Sequence, residues 1–148
     1  MESGFSTVDI EIIFCLDFSV SKLVKPIDYV ARDGAVYRVP YAQPTDFASI
    51  PKALWGPPLF LIPTGWWSIP TLAHDAAFRN TLLIVNPEGQ VGFTRLANLN
   101  EQQCNDLLLE MMQSIKPNPT LFERAQMDAI YAGVSIGGSK PFANDRTP

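Results

Sequence analysis

Between residues 45 and 75 the chain carries all three of its tryptophans, five of its thirteen prolines and its single histidine, His74. Proline fixes its own φ and has no amide hydrogen to donate, so no long helix or ladder-forming strand can run unbroken through residues 57–69. That segment is expected as an apolar loop packed by Phe60, Ile62, Trp66 and Trp67, with the regular elements arranged around it.

Residues before and after the loop carry clearer periodicity. Residues 8–14 alternate apolar and polar and then turn wholly apolar, with β-branched side chains that favour a strand. Asp33-Gly34 between residues 29–32 and 35–39 predicts a hairpin on a tight primed turn, since glycine supplies the positive φ such a turn needs. Ser49 as N-cap and Pro51 in the first turn predict a short helix over 49–55. Pro70 opens a second helix over 71–80, and residues 82–85 and 91–93 form a second hairpin. Asn100 with Gln103, and Thr120 with Glu123, are capping boxes for two further helices. The first runs to about residue 115 with Cys104, Leu107, Leu108, Met111 and Met112 toward the core; the second carries Leu121, Ala125, Ile130, Tyr131 and Val134 and stops at Gly137-Gly138. Strands first and helices later imply an α+β domain, a small antiparallel sheet packed against three main helices. Residues 1–138 make a single domain and 139–148 a polar tail. No glycine-rich turn follows a strand, so a Rossmann arrangement has no support.

Composition narrows the function classes. A net charge of −4 argues against a phosphate-binding surface, so nucleic acid is not the expected partner. No apolar run is long enough to span a membrane, and the first residues lack the basic start of a secretory leader. The chain is expected to be made in the host cytoplasm and to work there or in a particle assembled there. Cys15 and Cys104 have no CxxC spacing and read as two buried thiols.

One group of residues resembles a known signature. It comprises Val39-Pro40, Thr45-Asp46-Phe47-Ala48-Ser49-Ile50-Pro51-Lys52, Leu54-Trp55, Ala73-His74-Asp75 and Asn105-Asp106. Together they resemble a family of small phage and prophage proteins known as domain of unknown function 1353, over about residues 28–137. Lys52 stands where the family usually has arginine, Phe78 and its preceding alanines replace a tyrosine-containing run, and residues 82–95 look like an inserted hairpin. The resemblance implies a phage-encoded origin and an α+β fold. It implies no reaction.

Asp46, Ser49, His74, Asp75 and Asp106 are the polar residues of that signature, and their simplest reading is a buried polar network clamping the loop between two helices. Asp46 and Ser49 also suit plain turn and N-cap roles. His74 and Asp75 are neighbours on a helix and point about 100° apart, so they do not chelate one ion together; Asp75 suits an ion pair with Arg79 one turn on. Asp46, His74 and Asp106 remain a candidate catalytic set for a small hydrolase, or a candidate site for a divalent metal, though no cofactor is required. Ser49, His74 and Asp106 have the residue types of a nucleophilic triad, without the elbow that normally surrounds the serine. Trp55, Phe60, Trp66 and Trp67 are candidate partner-binding residues, and of the adjacent pair Trp66 and Trp67 one is expected to leave the core.

Three functions are compatible with these features. The first is a virion-associated structural or accessory protein of a tail, baseplate or adaptor, bound to other phage structural proteins in a symmetric assembly. The second is a hydrolase of cell-wall peptide or glycan using the Asp/His set. The third is a phage-encoded binder that inhibits a host protein.

Overall fold

The computed structural model describes residues 3–5, 12–14, 21–23, 25–40, 44–45, 52–62 and 65–137. Their strands form two antiparallel sheets. The larger contains β1 (Gly4–Phe5), β4 (Ile27–Val30), β5 (Val36–Val39), β7 (Leu83–Val85) and β8 (Thr94–Leu96) in that order; the smaller joins β2 (Ile12–Phe14), β3 (Ser21–Leu23) and β6 (Pro44–Thr45). Three helices complete the α+β fold: α1 (Ser68–Phe78), α2 (Glu101–Ile115) and α3 (Leu121–Gly137). The strand expected over 8–14 is represented by β2, while the tail expected over 139–148 lies outside the described residues.

The first hairpin forms where Asp33-Gly34 placed it, with a wider loop than expected. Gly34, at φ 90°, donates to Ala31 O, and Ala31 N–H donates to Ala35 O, so Arg32, Asp33 and Gly34 together make the turn. Asp33 Oδ1 accepts from the Ala35 amide at 2.9 Å and holds that loop. Strand alternation then turns Ile27 and Tyr29 into the core. On the opposite face, register partners Asp28 and Arg38 make a two-bond ion pair at 2.7 and 2.9 Å.

The second hairpin is shifted from expectation. Its returning strand is β8, not residues 91–93, and Val91 and Phe93 are exposed in the connection. Asn86 and Glu88 adopt positive φ around a short 3₁₀ turn, Pro87–Gly89, and Asn86 Oδ1 accepts from Gly92 N–H. The connection therefore consumes residues that alternation assigned to a strand.

Helix α1 begins before Pro70, taking Ser68 and Ile69 from the expected loop, and stops where Asn80 turns to φ 57°. Nine of its residues are buried, among them Leu72, Ala73, Ala76 and Ala77, so it is an interior helix whose small residues allow close approach. Both capping boxes form as the sequence indicated: Asn100 with Gln103, and Thr120 with Glu123. Helix α3 buries Gln126, Met127, Ile130 and Val134, whereas Leu121 and Ala125, expected inward, are exposed.

The buried side chains fall into two clusters separated by α2. On its sheet side, Ile27, Tyr29, Val39, Leu72, Ala76, Leu82, Cys104 and Met111 pack together. On its loop side, Leu61, Trp67, Leu108, Met112, Met127, Ile130 and Val134 form the second. Tyr29 links sheet to helix by donating from its hydroxyl to Glu110 Oε2 at 2.6 Å; burial first and that carboxylate second push its pKa up. No helix among the described residues is long and apolar enough to cross a membrane.

Candidate functional site

His74 sits near the middle of α1 and is 4% exposed. Its Nε2 lies 2.9 Å from Oδ1 of Asn105, itself 2% exposed on α2. With the amide oxygen facing Nε2, the ring hydrogen is on Nε2, and Nδ1 carries the lone pair. That Nδ1 is a buried atom without a hydrogen-bond partner among the described residues. The ring also lies against Phe78, with centroids 4.6 Å apart. Burial pulls the pKa of His74 down to about 4, with the Asn105 bond opposing the shift, so the imidazole is neutral at physiological pH. A neutral, fixed imidazole can accept a proton or orient a neighbour.

The structure does not bring Asp106 into this pair. Asp106 follows Asn105 by one residue, about 100° around α2, and is exposed. Its Oδ1 accepts from Gln102 Nε2 at 2.7 Å and from Tyr131 Oη at 3.0 Å, a separate surface set between α2 and α3. Asp75 is half-buried on α1. Asp46 and Ser49, and with them residues 49–51 of the short helix expected over 49–55, lie outside the described residues; of the rest, Lys52–Leu54 form a 3₁₀ turn. Among the described residues no three His, Cys, Asp or Glu side chains are grouped to hold an ion.

The aromatic loop divides into anchors and one projecting side chain. Trp67, a candidate partner-binding residue, is instead core: it is 3% exposed and donates Nε1–H to Ile62 O at 2.9 Å. Trp66 is half-buried, meets the Trp67 ring edge-on at 5.4 Å and donates Nε1–H to Gln126 Oε1 at 3.1 Å. Lys116 Nζ stands 5.7 Å over the Trp66 ring. Against the expectation that one of the adjacent tryptophans leaves the core, Trp67 lies inside it and Trp66 stays half-buried at the edge of the loop-side cluster. Trp55 is half-buried against the loop-side cluster.

Phe60 is different. It is 55% exposed while its neighbour Leu61 is 0% exposed, and its backbone adopts φ 51°, a region bulky residues rarely occupy. Three backbone bonds hold this geometry: Phe60 N–H to Gly56 O, Leu61 N–H to Leu54 O, and Ile62 N–H to Phe60 O.

Sequence reasoning passed over two residues. Asn105 stands in the signature but drew no role, because an amide beside a carboxylate attracts less notice. Gln126, 5% exposed, receives the Trp66 bond and donates Nε2–H to Leu59 O at 2.9 Å, clamping the loop to α3. Its one visible signal was a polar residue next to Met127 on a helix's buried stripe.

No protein-family model, curated protein or solved structure matches the chain.

Proposed function

We propose that this chain is a phage-encoded, virion-associated accessory protein of a tail, baseplate or adaptor that works by docking onto other particle proteins. Its phage origin rests on the Thr45–Lys52 string and the His74-Asp75 pair resembling the phage family. The observation that carries the docking role is Phe60: an aromatic ring turned outward, on a strained backbone, from a loop whose flanking Leu61 and Trp67 are buried. A rigid display of apolar surface costs little ordering entropy on association, and buried aromatic anchors dominate interface energetics. Ile62, 46% exposed, widens the same patch.

Immunodetection in density-purified particles tests the reading. The chain is expected to band with the particles, and Phe60→Ala to reduce its incorporation while leaving the fold intact. Its absence from particles that assemble normally refutes the role.

A hydrolase is the second reading, favoured by one observation, the unpaired Nδ1 of a neutral His74. Release of wall fragments by the wild type but not by His74→Gln would establish it.

A further inference from the structure

Strand β8 ends the larger sheet, with β7 its neighbour among the described strands. Its ladder fixes which way its backbone groups point. Leu83, Ile84 and Val85 stand opposite Leu96, Arg95 and Thr94, and the flanking bonds run from Asn86 N–H to Phe93 O and from Ala97 N–H to Leu82 O. Antiparallel partners alternate between bonded and unbonded pairs, so Phe93 O, both backbone groups of Arg95 and Ala97 N–H face β7. Thr94 and Leu96 therefore each aim an N–H and a C=O away from the sheet, four groups in one row. All three β8 residues are exposed, and Val91 and Phe93 stand exposed in the chain that leads into them.

Arg95 decides what joins this edge. It shares a face with its register neighbours Ile84 and Tyr37, which pack on the sheet-side cluster, and its own side chain is exposed. Its Nη1 donates to Leu96 O at 3.1 Å, one of the four edge groups, and it has no ion pair among the described residues. A second copy of the chain, placed antiparallel so that all four groups are used, sets Thr94 against the copy's Leu96. Arg95 then meets its own counterpart, and like charges directly opposite are destabilising. Sliding the copy by two residues either way avoids that contact but brings Gly92 or Asn98 into the row. Both have positive φ, and their amides are already bonded to Asn86 Oδ1 and Asn80 Oδ1, so the row is left incomplete. An acidic side chain opposite Arg95 replaces the clash with a cross-strand ion pair and draws the guanidinium off Leu96 O; β-branched residues on either side of it meet Thr94 and Leu96 on the other face.

We infer that β8 takes on a further strand: an extended acidic segment of another protein, antiparallel along Thr94–Leu96, with a carboxylate side chain opposite Arg95 and apolar side chains flanking it. The partner's main chain supplies the bonds to the four edge groups, and Arg95 supplies the selection. In the free chain the same arginine guards the edge against pairing with itself. The inference is independent of docking through Phe60.

Proton–nitrogen NMR of the full chain tests it, with acetyl-Thr-Val-Glu-Val-Thr-amide as the probe and the same peptide carrying lysine in place of glutamate as the control. In the free chain, hydrogen exchange should be fast at the Thr94 and Leu96 amides and slowed at Arg95 and Ala97. The glutamate peptide should give saturable shifts at the amides of residues 93–97 at about millimolar concentration, and the lysine peptide should bind about threefold or more weakly. Arg95→Glu should reverse that preference. Thr94→Pro removes an outward amide hydrogen at the first residue of an edge strand, where proline is tolerated, and should fold yet lose binding. The proposal is overturned if the Thr94 and Leu96 amides are protected in the free chain, if the glutamate peptide gives no saturable shifts, if the lysine peptide binds as tightly, if Arg95→Glu keeps the wild-type preference, or if Thr94→Pro binds as the wild type does. Shifts of the same amides that grow with protein concentration in the absence of peptide would assign the edge to a second copy and overturn it as well.

Discussion

The two sides of α2 are built by different means. On the sheet side, α1 and the strands satisfy their own backbones through helix bonds and ladders, so nearly everything turned inward can be apolar, with His74–Asn105 the buried polar pair. On the loop side residues 52–62 and 65–67 form no ladder, and the turn bonds among them are supplemented by side-chain donors. Gln126 Nε2 supplies one to Leu59 O and Trp67 Nε1 another to Ile62 O. Irregular chain can therefore be buried when side chains do what secondary structure does for itself. On the sheet side the polar pair bonds side chain to side chain, His74 to Asn105.

The largest expected effect tests the loop side. Trp67→Ala removes a core side chain and its indole N–H bond to Ile62 O together and should lower unfolding free energy by about 3–5 kcal/mol in denaturant titration. If the loop side is the less self-sufficient, amides of residues 54–62 should exchange faster in this variant while those of the sheet keep their protection.

The sheet side answers to pH. Folded His74 titrates at about 4 against an ordinary 6.5. Between these values the unfolded chain binds more protons, so stability rises with pH; it is complete above about 6.5 and is lost as pH falls toward 4, by at most about 3 kcal/mol. Urea melts of the wild type against His74→Gln measure it, the variant being expected to lack this slope.

Gln126→Ala should cost about 1–3 kcal/mol by leaving Leu59 O and Trp66 Nε1 without partners. A negligible change there would break the contrast, since the loop would then hold on apolar contacts alone. Smallest is Asp106→Ala, expected within about 0.5 kcal/mol because the carboxylate is exposed, although Asn105 beside it is buried. A thermal melt checks this, and a large loss would mean that the surface set, not the buried pair, joins the helices.

Local chemistry was legible in the sequence because its partners stand a few residues apart. The two capping boxes and the inward stripe of α2 each depend on spacing within one element and each formed, and the Asp33-Gly34 turn fell in its expected place but one residue wider. Where competing local signals met, reading failed: positive φ at Asn86 and Glu88 drew residues 91–93 out of the strand their alternation suggested. The rotation of α3 was equally illegible, since apolar residues occur on more than one of its faces and only the neighbouring loop and α2 select Met127 and Ile130 over Leu121 and Ala125.

By itself the amino-acid sequence determined the fold class and the starts of α2 and α3, consequences of short-range spacing and periodicity. Tertiary structure alone decided that His74 meets Asn105 and not Asp106, that Gln126 fastens the loop, and that Phe60 points outward while Trp67 does not. Each outcome turns on how one element is rotated against another, where one residue along a helix is about 100°. Spacing along a chain carries no information about that angle until the partner surface is in place.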